Sequence, residues 1–248
     1  MHFTLENGEV LITTISIVVA MLGGSTLIGT EIPYNGTAIP AGITYEQNGV
    51  VKTTLPWLDS GPQSGLFTCL YDLGYSVTVV ERSAASINAS VLQTKAALLI
   101  TDLAALGVEP DVVIMTHGGN DAKSVTTATN YGNRVFGPWW DLGPGSTDSS
   151  VVGQLRRNYG TDMSLVVSTL PNHNGQNLWL NVPETGTTYW HATVRAQQLI
   201  GCDRDINCMA SITDPNIVEL AADQEHPTSL GYWNMGWEMC AAVDQMVQ

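Results

Sequence analysis

Short runs of β-branched, uncharged residues alternate along this chain with longer stretches whose apolar residues recur at helical spacing. That alternation narrows the folds open to it more than any other feature. Residues 15–22 read Ile-Ser-Ile-Val-Val-Ala-Met-Leu, nearly continuous in apolar character, as a strand buried from both sides must be. Residues 76–80, 111–116 and 164–170 are runs of the same kind. Residues 91–106 place Leu92, Ala96, Leu99, Leu103 and Leu106 on one face of a helix, and Gly107 and Pro110 supply its stop. Residues 187–200 and 230–247 are also expected to be helical. Strands and helices in alternation imply an α/β fold with a parallel sheet covered on both faces. No repeat and no charged or low-complexity linker divides the 248 residues, so a single domain is expected. In sheets of this type ligands bind beyond the carboxyl ends of the strands.

Composition excludes several partners. Nine Lys and Arg stand against 23 Asp and Glu, a net charge of -14. Such a surface repels a nucleic-acid backbone or an anionic membrane. Hydrophobic residues at 44% allow a sizeable core. The apolar stretch 10–22 lacks the features of a leader, since Glu6 and Glu9 precede it and no Lys or Arg appears before Lys52. It is too short to span a bilayer and is interrupted by Thr13, Thr14 and Ser16, so a buried strand is expected there. A mature secreted chain would read the same way, and the compartment stays open. Cys69, Cys202, Cys208 and Cys240 allow three pairings, with Cys202 and Cys208 close enough for a small loop. Buried free thiols are the plainer expectation, and oxidised pairs the alternative for an exported protein.

Three motifs follow predicted strands. Gly23-Gly24-Ser25-Thr26-Leu27-Ile28-Gly29 puts a serine at a strand-to-helix turn, where its hydroxyl and backbone N–H can both face outward. A helix N-cap is the ordinary use of such a serine. His117-Gly118-Gly119-Asn120-Asp121 puts an asparagine amide where it can face an oxyanion. His117 is expected to be a packing residue, and Asp121 to organise its own loop or cap the next helix. Asp223-Gln224-Glu225-His226-Pro227 places an acid where it can reach the imidazole, orient it and stabilise its protonated form.

In these motifs the chain resembles the SGNH (GDSL-type) hydrolases, and the resemblance runs from Ser25 to His226. It implies a flavodoxin-like three-layer α/β/α fold and ester hydrolysis through a serine, with no metal or organic cofactor. Residue by residue, Ser25 matches the nucleophile, Asp223 and His226 the relay pair, and Asn120 the oxyanion-hole asparagine. Val79-Val80-Glu81-Arg82-Ser83 aligns with the second block, so Ser83 stands where a glycine offers its N–H to the oxyanion. The family's Gly-Asp-Ser reads Gly23-Gly24-Ser25 here, so the acid before the nucleophile is missing. The rival α/β-hydrolase elbow, Gly-x-Ser-x-Gly, fails at Leu27. The expected substrate is a small-molecule or glycan ester with a short acyl or acetyl group. Loops 122–150 and 171–188 would then lie near the site and bring Trp139, Trp140 and Trp179 to stack on sugar or to pack the loops. A glycan-binding domain without catalysis, or a thioesterase or lysophospholipase, would use the same fold. The oligomeric state is left open.

Overall fold

The computed structural model describes residues 2–4, 10–12, 14–24, 27, 37–55, 62–137, 148–170, 183–184, 187–188, 190–211 and 226–248. In chain order the main elements are β1 (Ile15–Gly23), β2 (Ile43–Gln47), β3 (Val50–Lys52), α1 (Pro62–Asp72), β4 (Tyr75–Ser83), α2 (Ala89–Leu106), β5 (Val112–Thr116), α3 (Gly119–Ala122), α4 (Val125–Val135), α5 (Val151–Tyr159), β6 (Ser164–Ser168), α6 (His191–Asp203), β7 (Cys208–Ser211) and α7 (Ser229–Val247). They build a seven-stranded sheet in the order β7-β6-β5-β1-β4-β2-β3. Each pairing is parallel except β2 with β3. The run β4-β1-β5-β6-β7 is the flavodoxin-like order, and the β2–β3 hairpin extends one edge. That hairpin turns on Asn48 (φ 54°) and Gly49 (φ 81°), an Asn-Gly pair suited to two positive φ values.

The two faces of the sheet bury separate cores. Ala20, Leu22, Val80, Val113 and Val167 pack under α2, α4 and α5, while Ile17, Val19, Met21, Val77 and Val166 pack under α1 and α7. The three-layer α/β/α arrangement follows from strands that are apolar on both sides. In α2, Asn88 caps the start by accepting from the N–H groups of Ser90 and Val91, and Gly107 (φ 68°) ends it. Its length and composition would suit a membrane span, yet Leu92, Ala96, Leu99 and Leu103 are buried against the sheet.

Two expected boundaries change. The second strand continues three residues beyond Val80 because its polar tail finds partners. Arg82 Nη2 donates to Asp102 Oδ1 at 2.5 Å, and Glu81 is enclosed by donors. Residues 187–200 are not one helix: Thr187–Thr188 pairs with Pro183–Glu184, and the helix starts at His191. All four cysteines are oxidised, as Cys69–Cys240 and Cys202–Cys208, in place of the free thiols expected. The first pair ties α1 to α7, which approach so closely that a Cβ on Gly65 would lie 2.2 Å from Trp233 O.

Candidate active site

The sheet order reverses at β1, with β4 on one side and β5 on the other. Crevices form at such a reversal because successive connections leave in opposite directions. Here Gly23, the last residue of β1, is paired with Ser83 of β4 and Thr116 of β5. Gly24 N–H donates to Thr116 O at 3.1 Å, and Leu27 N–H donates back to Gly24 O at 3.0 Å. A Cβ on Gly23 would fall 2.3 Å from Leu27 Cβ and 2.8 Å from Thr116 O, so the turn closes this tightly only around glycine. Gly24 is thus bonded to β5 and Leu27 to Gly24; Ser25, between them in sequence, lies outside the described residues.

Asn120 sits half-buried in the first turn of α3, beyond the end of β5. Gly118 precedes it with φ +130°, and a Cβ there would lie 2.8 Å from Val194 Cγ1. Gln198 of α6 braces this loop: its Nε2 donates to His117 O at 2.6 Å, and its Oε1 accepts from Leu170 N–H at 3.1 Å. Asp121 is fully buried, and both its oxygens accept from Ala89 N–H at 3.1 Å. It therefore caps α2, the helix before it in the chain, and not the next one.

His117 is 5% exposed and lies parallel to the Tyr131 ring. Its Nε2 stands 3.2 Å from Ile87 O, which only a protonated nitrogen can approach as donor, so the neutral ring carries its hydrogen on Nε2. Burial lowers its pKa to about 4, against the opposing Ile87 carbonyl. Burial raises Asp121 to about 6, against the Ala89 N–H and Arg134. The signs oppose. The unfolded chain protonates His117 near its ordinary value and the fold does not, so stability is full above pH 6.5 and lost as pH falls toward 4. Asp121 contributes most below its ordinary value near 3.8, and that contribution is lost as pH rises to about 6. The His117→Asn variant is therefore expected to gain about 3 kcal/mol on wild type between pH 7 and 4. Urea unfolding across that range measures it, and parallel curves for the two proteins would refute the assignment.

Ser83 is not placed to serve an oxyanion. It is 1% exposed in extended strand, its N–H donates to Asn48 Oδ1 at 3.1 Å, and its hydroxyl donates to Glu81 Oε1. The left-handed residue of this block is Ser86 (φ 54°), exposed in the β4–α2 loop. Its neighbour Ile87 would meet a Gly24 Cβ at 3.7 Å, and His117 Cδ2 would meet it at 3.6 Å. Both are ordinary contacts, so packing does not demand glycine in place of the missing acid. The Asn48-Gly49 hairpin signal was the sequence clue to Ser83's partner.

Tyr75 OH reaches Asp244 Oδ1 at 2.5 Å, and Ser164 Oγ reaches Met246 O at 3.4 Å. The end of α7 thus lies beside the starts of β4 and β6, and the helix runs against the strands. Its beginning, capped by Thr228, falls on the carboxyl side of the sheet. His226, two residues earlier and half-buried, comes with it. Asp223, Trp139, Trp140 and Trp179 lie outside the described residues. Trp190 is half-buried at the start of α6, where its backbone N–H donates to Ala122 O at 2.6 Å and its side chain packs against the core. Loop 122–150 is not one loop, because α4 and the start of α3's exit occupy its first half.

A reversal at β1, with Gly24 tied to β5, and Gly-Gly-Asn-Asp beyond β5 lead to the comparison. The fold is that of the SGNH hydrolases. Solved structures share it over nearly the whole chain. A protein from Arabidopsis thaliana aligns with a TM-score of 0.62 at 13% identity, over 92% of this chain and 98% of its own. A lipase from a goat rumen metagenome gives 0.57 at 13%, over 92% and 97%. A carbohydrate acetylesterase family member from Sinorhizobium meliloti gives 0.56 at 15%, over 93% and 99%. No protein-family model and no curated protein matches the sequence. The SGNH fold is thus shared at identities where only architecture is common.

Proposed function

We infer that the protein is a serine esterase that hydrolyses short-chain acyl or acetyl esters by Ser-His-Asp acyl transfer. The observation that carries this reading is the bond from Gly24, the neighbour of Ser25, to Thr116 at the end of β5, whose following loop carries Asn120, where the sheet order reverses. His226, oriented by Asp223, takes the proton of Ser25 as its oxygen bonds to the ester carbonyl carbon. The carbonyl π electrons move to oxygen, and the oxyanion is met by the Ser25 N–H and the Asn120 amide. Ser83's N–H is engaged by Asn48, so the proposed hole rests on the Ser25 and Asn120 donors. Collapse expels the alcohol, protonated by His226, and water repeats the sequence on the acyl-enzyme.

Structural relatives that include a lipase and a carbohydrate acetylesterase family member support an ester substrate. The alcohol side is read as a small molecule or a glycan. Two disulfides favour an oxidising compartment. Removing one oxyanion donor typically lowers turnover by about 10²–10³. Asn120→Ala is expected to do so on p-nitrophenyl acetate with KM little changed, and a kcat within twofold of wild type would remove Asn120 from the hole. The reading itself is tested by a fluorophosphonate probe with peptide mapping: the label is expected on Ser25. A folded protein that takes no label is a binding domain on this fold.

A further inference from the structure

Glu81 has no exposed surface, and it lies at the carboxyl end of β4 on the face that carries Tyr75, Val77 and Val79. Among the described residues no Lys or Arg forms an ion pair with it. Its Oε2 accepts from Tyr45 OH at 2.6 Å and Gln63 Nε2 at 3.3 Å, and its Oε1 accepts from Gln47 Nε2 at 2.9 Å and from Ser83 Oγ. The two carboxyl oxygens of Glu81 thus have four polar partners, from β2, α1 and β4. Burial, and then the Glu81 charge, hold the Tyr45 phenol well above its usual range, so it stays a donor. A buried unpaired carboxylate is an expensive way to complete a core that β4 fills with valine at positions 77 and 79. Stability alone does not account for it.

The next link does. The amide nitrogen of Gln63 also donates to Leu27 O at 2.5 Å. An amide has one oxygen and one NH2, and both neighbours of this NH2 are acceptors. Glu81 and the Leu27 carbonyl thus hold this nitrogen between them. Leu27 N–H donates to Gly24 O, and Gly24 N–H to Thr116 O. The turn holding Ser25 is gripped at its near end by β5 and at its far end by Gln63. With Gly24 standing where an acid was expected, that position contributes no side chain, and support comes from beneath.

We propose that Glu81, acting through Gln63, is a positioning residue for the Ser25 nucleophile; this rests on the reading of Ser25 given above. In Glu81→Gln, the new side chain accepts fewer hydrogen bonds and presents donors of its own, so Gln63 loses one of the two acceptors that hold its NH2 beneath Leu27 O. A small displacement of a reacting group can cost about 10²-fold in rate.

The test compares Glu81→Gln, Gln63→Met and Arg82→Gln with wild type. Arg82 points to the opposite face of the same strand, where it pairs with Asp102, and serves as the control for lost buried polar contacts. Measurements are kcat and KM on p-nitrophenyl acetate and the rate of Ser25 labelling by a fluorophosphonate, each well below the variant's melting temperature. Glu81→Gln and Gln63→Met are expected to lose between about 10- and 100-fold in kcat and in labelling rate, with KM within twofold. Arg82→Gln is expected to lose melting temperature and keep kcat. If Gln63→Met, which keeps Glu81, reacts and labels like wild type, the proposal is overturned even where Glu81→Gln fails to fold. It is overturned equally if Arg82→Gln loses as much kcat as Glu81→Gln. Absence of label on wild-type Ser25 would instead strike the esterase reading, so the two failures are distinct.

Discussion

Ser25→Ala is expected to lower kcat on p-nitrophenyl acetate by at least about 10⁴-fold while leaving the melting temperature within a few degrees of wild type. The size follows from what the residue does. Without its oxygen there is no acyl-enzyme, and water must attack the ester directly with help only from the oxyanion donors. The fold should tolerate the change because the turn is held through its neighbours. Gly24 is bonded to Thr116 and Leu27 to Gly24 and Gln63, and none of these bonds uses the serine hydroxyl. His226→Ala is expected to cost about as much, and the double variant scarcely more, since the two act as one unit. Wild-type rates in Ser25→Ala would end the assignment, and additive losses in the double variant would separate His226 from Ser25.

The second large effect is on stability. Cys69–Cys240 closes a separation of 171 residues, and Cys202–Cys208 one of 6. By chain entropy, the first restricts the unfolded state by about 5 kcal/mol and the second by about 2 kcal/mol. Domain stabilities are about 5–15 kcal/mol, so the first staple is comparable to the whole. It joins two helices that approach through backbone at one point, where a Cβ on Gly236 would lie 2.2 Å from Pro62 O, and that share a buried apolar core. Cys69→Ala/Cys240→Ala is expected to shift the urea midpoint far more than Cys202→Ala/Cys208→Ala. Equal shifts would show that native-state packing, and not the closed loop, sets the contribution.

The local chemistry of the chain was legible wherever one residue type determines it. Runs of β-branched residues that must be buried on both faces could only become inner strands, and β1, β5 and β6 formed where those runs lie. Gly107 ended α2 through its positive φ, and α7 formed over Ser229–Val247, where residues 230–247 were expected to be helical. Gly-Gly-Asn-Asp beyond β5 and the serine turn beyond β1 were readable as places for chemistry, because catalytic loops need glycine where backbone comes close. The sequence by itself thus determined an α/β sheet with its candidate groups after the strands.

Tertiary structure decided what depends on partners distant in the chain. Ser83 looked like an oxyanion donor until Asn48, 35 residues earlier, took its N–H. Asp121 was expected to organise its own loop or cap the next helix, and the fold gave it Ala89, 32 residues before it. A glutamate in an apolar strand has no local reason to be there. Its reason is the set of donors that β2, α1 and β4 bring to one point beneath Leu27. Hydrogen bonds and buried charges are settled by geometry between elements, and no periodicity within one element carries that information.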